Sequence, residues 1–242
     1  MPLVEMRGIS KYFGAVKALD KVDFHVEKGE IVGLIGDNGA GKSTLMKILS
    51  GVYQPDEGEI FFEGRRVRIK NPAYARALGI EMVYQDLALC PNLEVAKNIF
   101  LNYEPTKRFL LFPVIDEITM MKKAEQILSE IDATIPLNVQ VKYLSGGQQQ
   151  AVAVARSLTR TPKLLIFDEP TSNLSQRIIN KFQELMLRLR DKGVSIVYIS
   201  HRLPDVLAVS DRIVALRAGK KISEMKASNV SVEDLVKLIA AG

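Results

Sequence analysis

The run Gly36-Asp37-Asn38-Gly39-Ala40-Gly41-Lys42-Ser43-Thr44 holds the residue types that bind phosphate. Gly36 and Gly41 bracket four residues and are followed by Lys42 and Ser43, which is the spacing of a phosphate-binding loop. The chemistry requires each part. Glycines let the backbone turn sharply enough to aim several N–H groups inward at phosphate oxygens. The Lys42 ammonium reaches the β- and γ-phosphates as a compact positive charge. The Ser43 hydroxyl is placed to ligate Mg²⁺. A glycine-rich turn with no ligand is the bland alternative, and the flanks argue against it. An apolar run, 31–35, precedes the loop, and a helical stretch, 44–49, follows it with its positive end toward the anion.

A second anchor lies far along the chain. Leu164, Leu165, Ile166 and Phe167 read as a buried strand, and Asp168 and Glu169 stand at its carboxyl end. In open α/β sheets ligands bind outside that end of the strands. Asp168 is placed to hold Mg²⁺ through water, and Glu169 to orient or deprotonate an attacking water. A solvated acidic turn is the alternative for this pair taken alone. Together with the phosphate loop, the acids point to ATP hydrolysis. His201 follows the run 194–199 and Ser200, where it could bond the γ-phosphate; a polar residue ending a strand is the plainer reading. His25 is assigned no role.

These residues need a scaffold. Strand-like runs cover 3–9, 22–26, 31–35, 60–62, 81–84, 164–167, 194–199 and 212–216. Three of them (31–35, 164–167 and 194–199) are nearly all apolar, as strands buried on both faces of a parallel sheet are. Helical spacing places Met121, Ala124, Ile127, Leu128 and Ile131 on one face of 118–131, and Ile178, Phe182, Leu185, Met186 and Leu189 on one face of 178–189. From Gln85 to Tyr143 the pattern is mostly helical, broken by Pro91, Pro105, Pro113 and Pro136, and reads as an inserted subdomain. The expected organisation is a single domain, with 1–84 and 160–242 as core and 85–159 as helical subdomain. A short amphipathic helix over 231–242 is expected to leave no room for an appended domain.

Composition narrows the class. With 242 residues, 47% of them hydrophobic, the chain can bury one α/β core. Cys90 is the only cysteine, which excludes an intrachain disulfide and a cysteine metal cluster and fits a reducing cytoplasm. No apolar run has signal-peptide or membrane-span length, so a membrane link is expected to come through a partner. The formal charge of +5 is interspersed and hints only weakly at nucleic acid or an anionic membrane face.

Leu144-Ser145-Gly146-Gly147-Gln148 adds a further motif. Ser145 can cap a helix running through Leu158, and Gly146 and Gly147 expose backbone N–H groups at its positive end. By itself the pentapeptide suits an ordinary capped helix equally well. With the phosphate loop and Asp168-Glu169, the whole chain resembles the ATP-binding cassette proteins. The resemblance implies an α/β fold: a P-loop NTPase core with a mixed sheet, an antiparallel β subdomain and the inserted helical subdomain. It implies that Phe13 stacks on adenine, that Gln85 contacts Mg²⁺ and the attacking water, and that His201 contacts the γ-phosphate. It also implies that Ser145, Gly146, Gly147 and Gln148 serve ATP held by a second copy of the chain, the two meeting head to tail. Read without the resemblance, Phe13 is core packing and Gln85 a solvated loop residue.

The finer likeness is to the cassettes of bacterial and archaeal simple-sugar importers. It rests on Asn71-Pro72-Ala73, on the segments 77–89 and 98–101, and on Ser145-Gly146-Gly147-Gln148-Gln149-Gln150-Ala151-Val152. That likeness implies an ATPase, peripheral on the inner face of the cell membrane, that drives sugar import through membrane permease subunits and, indirectly, a sugar-binding protein. A cassette energising another substrate is the alternative. A soluble DNA-repair or chromosome-type ATPase fits poorly, because the stretch between Gln85 and Ser145 shows no sustained heptads. The basic run 65–70 reads as a solvated strand face, with no nucleic acid expected. One departure stands out: Ser175 occupies a position where the family commonly has an Asp that bonds across the dimer. The apolar run 109–115 is expected in the subdomain core, with contact to the membrane partner as the alternative.

Overall fold

The computed structural model describes residues 1–109, 112–170 and 175–240, Phe109 in its backbone only. In chain order it forms β1 (Val4–Phe13), β2 (Val16–Val26), β3 (Ile31–Ile35), α1 (Lys42–Leu49), β4 (Glu57–Phe62), β5 (Arg65–Val67), α2 (Pro72–Leu78) and β6 (Ile80–Val83). Then come α3 (Val95–Ile99), β7 (Thr106–Phe109), β8 (Phe112–Ile115), α4 (Glu117–Glu130) and α5 (Gly146–Leu158). The chain closes with β9 (Leu164–Asp168), α6 (Gln176–Asp191), β10 (Ser195–Ile199), α7 (Leu203–Val209), β11 (Arg212–Arg217), β12 (Lys220–Lys226) and α8 (Val232–Ala240). Two compact units result: Met1–Gln85 with Pro162–Gly242, and Asp86–Thr161.

Every residue of β3, β9 and β10 is buried, as their predominantly apolar content requires of strands covered on both faces. They lie in a sheet of order β12-β11-β3-β10-β9-β6, parallel except where β12 turns back along β11. The register fixes the site. Ile199 pairs with Leu34 on one side and Asp168 on the other, and Val83 pairs with Phe167. The residues that leave β3, β10, β9 and β6 therefore emerge along one edge.

A second sheet, β2-β1-β4-β5, is antiparallel. Its first hairpin runs beyond the apolar stretches 3–9 and 22–26, because the ladder continues through pairs that include polar residues, such as Lys11↔Leu19 and Tyr12↔Lys17. α2 is set by local chemistry: the Asn71 side chain accepts from Tyr74 N–H, Pro72 opens the first turn and Gly79 (φ +90°) ends it.

The second unit corrects the expectation of a mostly helical segment. It contains α3, α4 and α5 but also the β7–β8 hairpin. Pro105 and Pro113 interrupt helix, and the β-branched and aromatic residues between them favour an extended chain. Nor does the run 109–115 behave as core where it is described: Phe112 is 71% exposed and Ile115 52%. Leu110 and Leu111 lie outside the described residues. The buried face of α4 is Met120, Ala124 and Leu128, one step from the expected Met121, and α6 buries Ile179 rather than Ile178.

Candidate active site

The phosphate loop leaves β3 against the end of β11. A Cβ on Gly36 (φ +144°) would stand 2.1 Å from the Leu216 carbonyl oxygen, and one on Gly41 (φ +100°) 2.8 Å from the Ala18 carbonyl oxygen. Gly39 (φ +81°) faces open space. So Gly36 and Gly41 seat the loop, whereas Gly39 supplies only its turn. The Gly219 N–H donates to the Ala40 carbonyl (3.1 Å), bracing the loop from below, and Ala40 is buried while Asp37, Asn38 and Gly39 are exposed. α1 starts at Lys42, with Ser43 and Thr44 in its first turn; Gly41 offers no side chain to cap those N–H groups.

Lys42 is 5% exposed, and its Nζ donates to the carbonyls of Gly36 (2.7 Å) and Asp37 (2.9 Å). Burial pulls its ammonium below the usual lysine range, against the opposing pull of Glu169, Asp168 and Asp37. The cation is thus held under the loop where an incoming phosphate would relieve its cost.

Ser43 Oγ donates to Asp168 Oδ1 at 3.1 Å. Asp168 is 6% exposed. Burial pushes its carboxyl above the ordinary range and Glu169 adds to this, while the Ser43 bond, Lys47 and Lys42 oppose it. A hydroxyl and a buried carboxylate side by side fit a hard divalent cation. Among the described residues no cluster of three or more His, Cys, Asp or Glu side chains makes a closed cage. A cation here would hold Ser43 and Asp168 and complete its shell with substrate phosphate and water.

Glu169 has φ +53°, uncommon for a residue with a Cβ. Its N–H donates to the Ile199 carbonyl (3.0 Å), which carries the β9–β10 ladder one step on and turns the side chain to His201: Nε2 lies 2.5 Å from Oε1. The sheet edge thus gathers the loop, Asp168, Glu169 and His201. Gln85 is exposed beyond β6, the strand next to β9.

Phe13 ends β1 and is 42% exposed rather than core. Its ring meets Tyr53 edge to face, centroids 5.2 Å apart, and Lys11 Nζ lies 5.6 Å from its centre. Tyr53 N–H donates to the Lys47 carbonyl (3.0 Å), tying the aromatic shelf to α1. Neither Tyr53 nor Lys47 was marked by any motif; only the fold brings Tyr53 to Phe13 and Lys47 over the Tyr53 ring.

Ser145 to Gln148 sit in the second unit. Gln148 N–H donates to Ser145 Oγ (3.4 Å), and Ser145 N–H donates to Gln148 Oε1 (3.0 Å), a reciprocal cap at the start of α5. Ser145 and Gly146 are exposed, so this helix end faces outward. Ser175 is the N-cap residue of α6 without a side-chain cap bond; Thr171, Ser172, Asn173 and Leu174 lie outside the described residues.

Comparison with known proteins shows the family and the fold. The family model described as ABC transporter matches residues 19–172. The chain is 44% identical over 240 residues to the xylose/arabinose import ATP-binding protein of Sulfolobus acidocaldarius, covering 99% of this chain and 94% of that protein. It is 43% identical to the ribose import ATP-binding protein of Caldanaerobacter subterraneus, but spans only 47% of it. Among solved structures it resembles a nucleotide-free ATP-binding cassette of an ABC transporter, with a TM-score of 0.84, 29% identity and coverage of 100% and 96% of the two chains. It also resembles a cassette in a dimeric post-hydrolysis state bound to ADP and Pi, with a TM-score of 0.80, 26% identity and coverage of 93% and 98%.

Proposed function

The chain belongs to the ABC transporter family as its ATP-binding, ATP-hydrolysing domain, and on that premise we propose that it powers import of a simple sugar through a partner membrane permease. The observation that carries the hydrolytic part is the row at the sheet edge: Lys42, Ser43, Asp168, Glu169 and His201. The sugar class is supported by relatives named for xylose, arabinose and ribose import. No described helix is long and apolar enough to cross a membrane, so the permease would supply the span and hold the chain at the inner face. A separate sugar-binding protein would deliver the substrate.

In the proposed cycle Phe13 stacks on adenine, and the loop from Gly36 to Thr44 wraps the phosphates with backbone N–H groups. Lys42 gives up its two carbonyl partners for the β- and γ-phosphates, exchanging neutral acceptors for charged ones. Ser43 and Asp168 would hold Mg²⁺, with Gln85 joining from β6; bound there, the ion neutralises phosphate charge and orients the leaving group. Glu169 leaves His201, takes the attacking water in hand and accepts its proton, while His201 turns to the γ-phosphate.

A second copy would bring Ser145, Gly146, Gly147 and Gln148 to the far side of the γ-phosphate, head to tail. The outward-facing start of α5 and the dimeric solved relative support this. ATP then binds the closed pair better than the separate chains and shifts that equilibrium, and hydrolysis releases it. The Asp86–Thr161 unit would carry the motion to the permease.

The test is uptake of xylose, arabinose and ribose by proteoliposomes holding the chain, its permease and the binding protein. ATP-driven uptake of at least one, lost in Glu169→Gln while ATP still binds, is expected. Hydrolysis that none of these sugars stimulates would overturn the sugar assignment; near-normal turnover by Glu169→Gln would remove Glu169 as the base.

A further inference from the structure

The tip of the first hairpin has to be held by something other than its own sheet. β4 pairs with β1 as far as Ser10 opposite Glu57, and beyond that pair β1 and β2 run on as a two-stranded ribbon to Phe13 opposite Val16. Such a ribbon is marginal in water on its own, and here Tyr12, Phe13 and Val16 are exposed. Phe13 also ends its strand, with Gly14 (φ +58°) turning the chain directly after it. A ring left unsupported at such a tip samples several rotamers, and a base that stacks on it must order it first, at a cost in affinity.

The turn that follows α1 supplies the hold. Val52 N–H and Tyr53 N–H both donate to the Lys47 carbonyl (2.8 and 3.0 Å), and Gln54 Nε2 donates to the Ile69 carbonyl (2.6 Å), tying the turn to α1 and to the chain after β5. From this turn Tyr53 meets the Phe13 ring with planes 70° apart, while packing against the buried core and lying 5.8 Å from Lys47 Nζ. Three residues on, Asp56 takes over where the β4 ladder stops. Its N–H donates to the Ser10 carbonyl (2.9 Å), its Oδ2 accepts from Tyr12 N–H (2.6 Å) and its Oδ1 from Lys11 Nζ (3.1 Å). Asp56 thus holds the backbone just before Phe13, and Tyr53 holds the ring itself. Both stand on a segment continuous with α1, whose first residue is Lys42 of the phosphate loop.

We propose that Tyr53 and Asp56 are positioning residues for nucleotide binding: they pre-set the Phe13 ring relative to the phosphate loop, so that base and triphosphate are met together. The inference rests on the reading that Phe13 stacks on adenine, and goes beyond it in assigning two residues that act through Phe13 and need not touch the nucleotide.

Calorimetric titration of the full chain with a non-hydrolysable ATP analogue and Mg²⁺ tests this as a double-mutant cycle. Tyr53→Leu and Asp56→Ala are each measured alone and combined with Phe13→Ala. Tyr53→Leu is expected to weaken binding about fivefold and Asp56→Ala about threefold. Tyr53→Phe, which keeps the ring contact, stays within about twofold of wild type. Neither loss recurs in the Phe13→Ala background. A residue that merely supports α1 or the phosphate loop weakens binding with or without the Phe13 ring, so equal losses in the two backgrounds overturn the proposal. Where Phe13→Ala is weakened, wild-type binding by either single variant removes that residue from the role. Wild-type binding by Phe13→Ala itself removes the stacking reading, and the inference with it. Leu keeps apolar bulk against the core at position 53; if that variant nonetheless fails to fold, Asp56→Ala decides, because the Asp56 side chain is exposed.

Discussion

Replacing Gly36 with Ala loads the phosphate loop at its seat. Two costs add. The backbone at φ +144° is one that side-chain-bearing residues rarely adopt, worth about 1–3 kcal/mol. The new methyl would stand 2.1 Å from the Leu216 carbonyl oxygen, backbone rather than a yielding side chain, and forcing β11 and the loop apart adds about 1–3 kcal/mol. Together these come to about 4 kcal/mol, which for a chain of this length lowers the melting temperature by about 8–16 °C. Gly39→Ala is the control. It also has positive φ, +81°, but its methyl meets nothing within 4 Å. Only the backbone cost remains, about 1 kcal/mol and 2–4 °C. Thermal unfolding of wild type and both variants without nucleotide gives the comparison, and ATP titration of each gives the functional consequence. The seat also aims the N–H groups, so Gly36→Ala weakens ATP binding as well. Melting temperatures of the two variants that coincide would refute the argument that Leu216 sets the loop.

Phe13→Ala should leave the melting temperature unchanged, because the ring is 42% exposed, yet weaken ATP binding by up to about tenfold through lost stacking, measured by calorimetry. Asp168→Asn tests the buried carboxyl. An acid whose folded pKa is raised has the folded state binding the proton more tightly, so stability falls as pH climbs from the ordinary carboxylate range through the raised value. Without nucleotide or metal, the variant should therefore lose less stability than wild type in denaturation between about pH 4 and 8; parallel profiles would show that Asp168 carries no such cost.

Much of the site was legible because its parts are local in sequence. Two glycines at fixed spacing before Lys42 and Ser43, an apolar run before Asp168 and a small-residue helix start at Ser145 each carry their own physical signal. The sheet that aligns them was legible through strands buried on both faces. Other parts depend on tertiary contact. Lys220–Lys226 pairs as an edge strand although its residues are largely polar, because β11 supplies the ladder. Tyr53 joins Phe13 only through the chain's return after α1. The β7–β8 hairpin was hidden because an apolar run without clear alternation gives no period to read, and prolines marked breaks without saying what lay between them. The 2.5 Å approach of His201 to Glu169 is likewise a product of register, since Ile199 pairs directly with Asp168.

The central claim is that the loop at Gly36 to Thr44 is half of an active site completed by Ser145 to Gln148 of a second copy. Mixing two inactive variants tests it directly. In a head-to-tail pair of Lys42→Ala with Ser145→Arg, one composite site collects both defects and the other is intact. Half of a random equimolar mixture is mixed pairs, each with one working site of two, so ATP hydrolysis should recover to about a quarter of the wild-type rate. A mixture no more active than the mean of its two components would contradict the account.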